Sequence, residues 1–382
     1  MATELLYQKL LLIRAEDQHW SFLHPAMATY PPRSCAPIPF KVIEEQEDHP
    51  SPFKVIEEQE DHPSPRRIED YDNFISTLPL EKGWVPSRKY QGFWYPEGFL
   101  LGAMAIQQRF KARPDDLFLI SFPKSGTTWL KALAFATMTR KQYPLARHPL
   151  LSLNPHDCVA YMDELFAIGQ ASKVEALPSP RILATHMPYS WLPDSVAGSG
   201  CRIIYIARDP KDALVSYWHF IVERSRSPQM KKIPFMEAFE TFCEGKVPFG
   251  PIWDHSLEYW RESLKRTEKV LFLRYEGLLE DPVANVKRLA EFVGCPFSEE
   301  EQEGGMVEEI VRLCSIENMK SLEVNKDGKH GPIYPVAKSS FFRKGTKGDW
   351  RNHMSLEMAR RLDVIIEEKL QGSGLTGWSS QA

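Results

Sequence analysis

Apolar and polar positions fall into alternating blocks along residues 66–370. Four short apolar runs stand out: Leu117-Phe118-Leu119-Ile120, Arg181-Ile182-Leu183-Ala184, Arg202-Ile203-Ile204-Tyr205-Ile206-Ala207 and Val270-Leu271-Phe272-Leu273. Their length and their β-branched and aromatic content predict buried strands. Between them the spacing turns helical. Leu130, Leu133, Ala134 and Met138 mark one helix, and a second starts where Asp209 can cap and Pro210 can take the first helical position. Further amphipathic segments lie around Phe235–Phe242, Trp253–Leu264, Val283–Phe292 and Val307–Cys314. Upstream, Ile68, Tyr71, Phe74 and Ile75 share a helical face, and the aromatic segment Tyr90–Tyr95 leads into a helix over Glu97–Phe110. Apolar strands alternating with helices predict an α/β fold, with a mostly parallel central sheet flanked by helices. No Pro/Gly/Ser-rich linker divides this stretch, so a single domain is expected over residues 66–372, followed by a flexible tail over 373–382.

The first 65 residues differ in kind. Residues 1–20 could form a short helix, and a Pro-rich stretch follows in which Met27-Ala28-Thr29 repeats the opening Met1-Ala2-Thr3 and raises the possibility of a second start site. Pro39–Ser51 reads PFKVIEEQEDHPS, and Pro52–Ser64 repeats the same letters. Two short acidic copies cannot bury a core, so a disordered, solvated extension is expected. The extension also holds the net charge. Residues 39–64 carry −6 of the chain's −4, which leaves the remainder slightly positive and argues against a nucleic-acid partner. Six scattered cysteines without CxxC spacing read as free thiols of a reducing compartment. No run reaches membrane-spanning length and the N-terminus lacks a secretory pattern, so a cytoplasmic location is expected, with no membrane partner.

Candidate chemistry gathers at the strand ends. Phe122-Pro123-Lys124-Ser125-Gly126-Thr127-Thr128-Trp129 joins a strand to a helix, where free backbone N–H groups, a lysine and hydroxyls suit a phosphate. Lys124, His186, Arg208 and Tyr275 each follow an apolar run, and in an open α/β sheet ligands bind beyond those ends. Arg208, with Ser216 about two turns further on, could hold a second anion. The loop Phe341–Trp350 adds Arg343, Lys344 and Gly345. Several separate anion anchors predict a ligand with two phosphate-like groups. The loop is not a Walker loop, because Gly126 follows Lys124 rather than preceding it, and no apolar run ends in a magnesium-binding acid. No metal is expected.

These residues resemble the cytosolic sulfotransferases, which use 3′-phosphoadenosine 5′-phosphosulfate as sulfonate donor. The Lys124 loop looks like that family's 5′-phosphosulfate loop, Tyr205–Phe220 like its 3′-phosphate motif, and Arg343–Trp350 like its C-terminal donor signature. Thr185-His186-Met187-Pro188 falls where the family carries its catalytic histidine, and Tyr90-Gln91-Gly92-Phe93-Trp94 is similar to plant members. The resemblance implies a nucleotide-binding architecture like that of P-loop kinases and in-line transfer to a hydroxyl of a small phenolic, flavonoid, steroid or hormone-like acceptor. It implies His186 as general base, Lys124 as the charge at the leaving phosphate, and Ser125, Gly126, Thr127 and Thr128 around that phosphate. Arg208, Ser216 and Arg343, with Lys344 and Gly345, would serve the 3′-phosphate, and Trp129 and Tyr275 the adenine. Three departures stand out. Ala184 occupies the place of a lysine in many animal members, and Cys314 that of a threonine. Arg351, Ser355, Leu356 and Arg360 leave the family's dimerisation motif degenerate, so a homodimer by that route is in doubt. Phe93, Trp94, Phe166, Tyr189, Trp191 and Phe249 could line the acceptor pocket.

Overall fold

The computed structural model describes residues 68–224 and 233–378. The N-terminal helix, the possible second start and the tandem repeat lie outside the described residues. After a helix at Ile68–Thr77, a small antiparallel sheet forms from β1 (Leu80–Glu81), β2 (Ser87–Tyr90) and β3 (Phe93–Pro96). The aromatic segment is therefore a hairpin, turning through Gln91 and Gly92 with φ of 42° and 90°. A helix over Glu97–Arg109 leads to the central sheet, built from β4 (Leu117–Ser121), β5 (Ala160–Tyr161), β6 (Ile182–Thr185), β7 (Arg202–Ala207) and β8 (Val270–Arg274). Its order is β5-β6-β4-β7-β8 and every pairing is parallel, as the apolar runs imply. A last antiparallel pair joins β9 (Lys329–His330) to β10 (Val336–Ala337).

The strand interiors are apolar because both faces of the sheet are covered, and the polar residues Ser121, Thr185, Arg202 and Arg274 stand at strand ends. Leu117 and Leu119, Ile182 and Ala184, Ile204 and Ile206, and Leu271 and Leu273 point into one core, with Leu130 and Leu133 from the helix Thr127–Thr139. The alternate residues Phe118, Ile120, Leu183, Ile203, Tyr205, Val270 and Phe272 point into the other, against Leu214, Trp253 and Leu257. The period of two along each strand thus divides the protein into two hydrophobic layers.

The chain leaves β4 for the sheet edge at β5, returns through β6, and crosses β4 to reach β7. That reversal beside β4 sets up a crevice at the carboxyl ends of the strands. Of the tail expected to be flexible over 373–382, the part up to Trp378 is instead anchored, and residues 379–382 lie outside the described residues. Leu375 and Trp378 are buried, Arg274 donates to the carbonyls of Thr376 and Gly377 at 2.8 and 2.7 Å, and Lys211 Nζ donates to that of Trp378 at 2.9 Å.

Candidate active site

The loop after β4 owes its shape to two residues in the left-handed region, Lys124 at φ 64° and Gly126 at φ 113°. Glycine is needed at 126: a Cβ there would lie 2.8 Å from Tyr275 Cδ2 and 2.9 Å from Ile206 Cδ1. No side chain caps the helix that starts at Thr127, so its first amides are open to an anion. Thr127 Oγ1 is tied to Ser121 Oγ at 2.6 Å, and Thr128 Oγ1 lies 2.9 Å from His156 Nε2.

Lys124 on this loop is joined by Arg208, Arg343 and Lys344 around one cleft. Lys124 Nζ stands 4.1 Å from the Phe220 ring centroid. Burial, followed by repulsion from Arg208 and Arg343, lowers its pKa to about 7. Arg208 donates to the Lys124 carbonyl at 3.1 Å and to the Thr346 carbonyl at 2.9 Å, and its guanidinium lies 4.5 Å from the Tyr275 ring centroid. Arg343 and Lys344 both pair with Asp349 at 2.6 Å. Against the upward push of burial, hydrogen bonds from Lys344, Asn352 and Arg343 hold the Asp349 carboxyl below its usual range. Asp212, on the helix Pro210–Arg224, accepts from the Gly348 amide at 2.6 Å and the Trp350 amide at 3.0 Å. The C-terminal loop is thereby laid over the ends of β4 and β7.

His186 follows β6. Its Nδ1 lies 2.6 Å from the Ser121 carbonyl oxygen, which can only accept, so Nδ1 carries the proton and Nε2 presents a lone pair. Burial lowers the ring's pKa to about 3, partly opposed by the Ser121 hydrogen bond and reinforced by His255, Lys131 and Lys124. His255 Nε2 donates to the His186 carbonyl at 3.0 Å, and its Nδ1 faces Tyr205 Oη at 2.9 Å. The Ser121 hydrogen bond fixes the ring's tautomer, and the His255 hydrogen bond holds the His186 backbone.

A cavity of about 320 Å³ is lined by Lys124, Gly126, Thr127, Thr128, Trp129, His186, Arg208, Ser216, Tyr275, Arg343, Lys344 and Gly345. Ser125 is the one expected site residue outside this lining; its Oγ is buried just behind the loop. Within the lining, Trp129 Nε1, Arg208 Nε and Arg343 Nε are buried polar atoms with no hydrogen-bond partner, as a polar ligand in this cleft would require. Trp129 meets Tyr275 edge-on at 5.6 Å. A second cavity, about 120 Å³, is walled by Phe99, Tyr161, Phe249 and Tyr334 and shares His186, Thr127, Phe220 and Phe341 with the first. Of the aromatics proposed for an acceptor pocket, Phe249 lines it. Phe93, Trp94, Phe166, Tyr189 and Trp191 line neither cavity, because their rings pack in or against the core beneath.

The sulfotransferase domain family matches residues 114–374. Flavonol 4′-sulfotransferase of Flaveria chlorifolia is 46% identical over 81% of this chain and 97% of its own length. Cytosolic sulfotransferase 17 of Arabidopsis thaliana is 44% identical over 80% and 89%. The chain belongs to the sulfotransferase family. Among solved structures, a putative steroid sulphotransferase of Arabidopsis thaliana superposes with a TM-score of 0.64 at 38% identity, over 82% of this chain and 99% of that one. A mouse sulfotransferase complexed with PAP gives 0.59 at 29% identity, over 75% and 95%.

Two further groups of this sulfotransferase were not singled out from its sequence. Lys131 is the one charged residue in the helix Thr127–Thr139, a signal visible in the sequence, and it is buried facing the smaller cavity. His156 lines both cavities from a four-residue helix, Pro155–Cys158, too short to leave a periodic pattern. Among the described residues no cluster of three His, Cys, Asp or Glu side chains is arranged to hold a metal.

Proposed function

We propose that this sulfotransferase moves the sulfonate of 3′-phosphoadenosine 5′-phosphosulfate to a hydroxyl of a small phenolic acceptor, with His186 as general base. The observation that carries the reading is that His186 lies in the lining of both cavities, with its Nδ1 hydrogen committed to a carbonyl. A base placed there meets an acceptor hydroxyl on one side and the donor on the other. The cations, the open helix terminus and the unpartnered Arg208 and Arg343 atoms fit the nucleotide's two phosphate-bearing ends. PAP in the mouse relative supports that choice of donor.

His186 Nε2 takes the proton as the acceptor oxygen bonds to sulfur, and the bond from sulfur to the 5′-phosphate oxygen breaks. Lys124 and the amides at Thr127 and Thr128 stabilise the charge left on that oxygen. The aromatic walls of the smaller cavity, with relatives named for flavonols, favour a flat phenol such as a flavonol. Relatives named as cytosolic favour a cytosolic enzyme, and no helix among the described residues is long and apolar enough to cross a membrane.

The test is transfer from labelled donor to a panel of flavonols, steroids and phenolic acids, by wild type and His186→Ala. Turnover is expected with a phenolic acceptor, with a loss of about 10²–10⁴-fold in the variant and adenosine 3′,5′-bisphosphate binding retained. A variant that turns over at the wild-type rate would refute the base assignment.

A further inference from the structure

The wall between the two cavities contains a hydrogen-bonded chain of three side chains. Thr128 and Lys131, three residues apart, rise from one face of the helix Thr127–Thr139, and His156 stands between them. Lys131 Nζ lies 3.3 Å from His156 Nδ1, and His156 Nε2 lies 2.9 Å from Thr128 Oγ1. The imidazole is clamped in this orientation. It stacks on Phe341 at 4.0 Å and 27°, and its short helix is held by the Asn154–Asp157 capping box. Asn154 is itself bonded to Asn325 at 2.8 Å. Thr128 lines the large cavity, Lys131 the small one, and His156 both.

The proton positions follow from chemistry. An ammonium can only donate, so His156 Nδ1 accepts from Lys131, and the Nε2 of the neutral ring therefore carries a hydrogen. That hydrogen is donated to Thr128 Oγ1. The Thr128 hydroxyl makes no other hydrogen bond among the described residues, so its own O–H is left to point into the large cavity. Lys131 is held in turn by the Val159 carbonyl at 3.2 Å. If the lysine were absent, the ring could place its hydrogen on Nδ1. Nε2 would then accept from Thr128 and turn the hydroxyl away from the cavity.

We propose that Lys131 and His156 are positioning residues that lock the Thr128 hydroxyl as a hydrogen-bond donor to the 5′-phosphate of the sulfonate donor. This rests on the donor reading above. The loop at residues 124–128 and the loop at 343–350 approach the cleft from different elements, so the two ends of the nucleotide can be probed separately. Nucleotides with and without a 5′-phosphate distinguish the chain of donors from a merely structural wall.

Isothermal titration calorimetry compares adenosine 3′,5′-bisphosphate with adenosine 3′-monophosphate on wild type, Lys131→Met, His156→Leu and His156→Gln. Lys131→Met and His156→Leu are expected to weaken the bisphosphate about tenfold, the worth of one hydrogen bond to a charged group, and leave the monophosphate within about twofold. His156→Gln, whose amide nitrogen can still donate to Thr128, restores most of the loss. In a Thr128→Val background Lys131→Met has no further effect, which reads the coupling even if one single variant folds poorly. Equal weakening of both nucleotides, or an unchanged bisphosphate affinity in Lys131→Met, overturns the proposal. Wild-type protein that binds neither nucleotide overturns the donor reading itself, and the relay with it.

Discussion

Donor affinity will fall as pH rises through 7, because of Lys124. In the free protein burial, Arg208 and Arg343 bring this ammonium to a pKa of about 7, whereas its ordinary value is 10.5. A bound phosphate opposes those influences and draws the pKa back up, so the complex holds a proton that the free protein has begun to lose. The sign follows from linkage: affinity is full below 7 and declines above it. From pH 7 to pH 9 the charged fraction of free Lys124 drops from about half to about one in a hundred. That weakens binding about 50-fold, or about 2.3 kcal/mol. The ligand's own phosphates, with a second pKa of about 6, have largely titrated before that range. Lys131, lowered by burial to about 8, adds a shallower fall that persists when Lys124 is replaced. Calorimetric titration of adenosine 3′,5′-bisphosphate between pH 6 and 9, in buffers of different ionisation enthalpy, reads both the affinity and the proton taken up. Lys124→Met should bind weakly with a much flatter profile. A wild-type affinity constant across that range, or an identical decline in Lys124→Met, would refute the reasoning.

Two substitutions test the scaffold of the cleft. Gly126→Ala forces a Cβ against Tyr275 and Ile206 at a left-handed φ, costing about 1–3 kcal/mol; thermal denaturation should show a Tm lower by at least ~2 °C, with nucleotide binding impaired, and an unchanged Tm contradicts the contact. Asp212→Ala removes the acceptor for the Gly348 and Trp350 amides, at about 1–3 kcal/mol for each amide left buried. The circular dichroism of the sheet should persist while bisphosphate affinity drops at least about tenfold; full affinity would show that the loop is held by other means.

The parts of this protein most legible in its sequence are those where burial is complete. The runs from Leu117, Ile182, Ile203 and Val270 carry no charged position in their interiors, since the sheet is covered on both faces. The polar residues stand at their ends, so the order of the sequence brings Lys124, His186, Arg208 and Tyr275 to one crevice. β5 escaped because two residues carry no period, and the hairpin of β2 and β3 because its aromatics resemble a loop entering a core. The acceptor wall was poorly read for a different reason. Phe93 and Trp191 are aromatic like Phe249 and Tyr161, and only tertiary packing decides which rings face a cavity. Lys131 was visible as a charge in an apolar helix, but its meaning depends on His156, which lies 25 residues away.

Arg208 joins the carbonyl of Lys124 to that of Thr346, and Asp212 grips the two amides beyond it. The order of synthesis gives this clasp a consequence. All five strands of the central sheet have emerged from the ribosome by residue 274, yet the segment that roofs the cleft arrives some seventy residues later. Until then the nascent chain has its phosphate loop and its histidine but nothing to close over a nucleotide. A message truncated between the codons for Arg274 and Arg343 would encode all five strands but neither the roof of the donor site nor the C-terminal part of the core, Leu362 to Trp378. Such a fragment would gain no thermal protection from the nucleotide that stabilises the full chain.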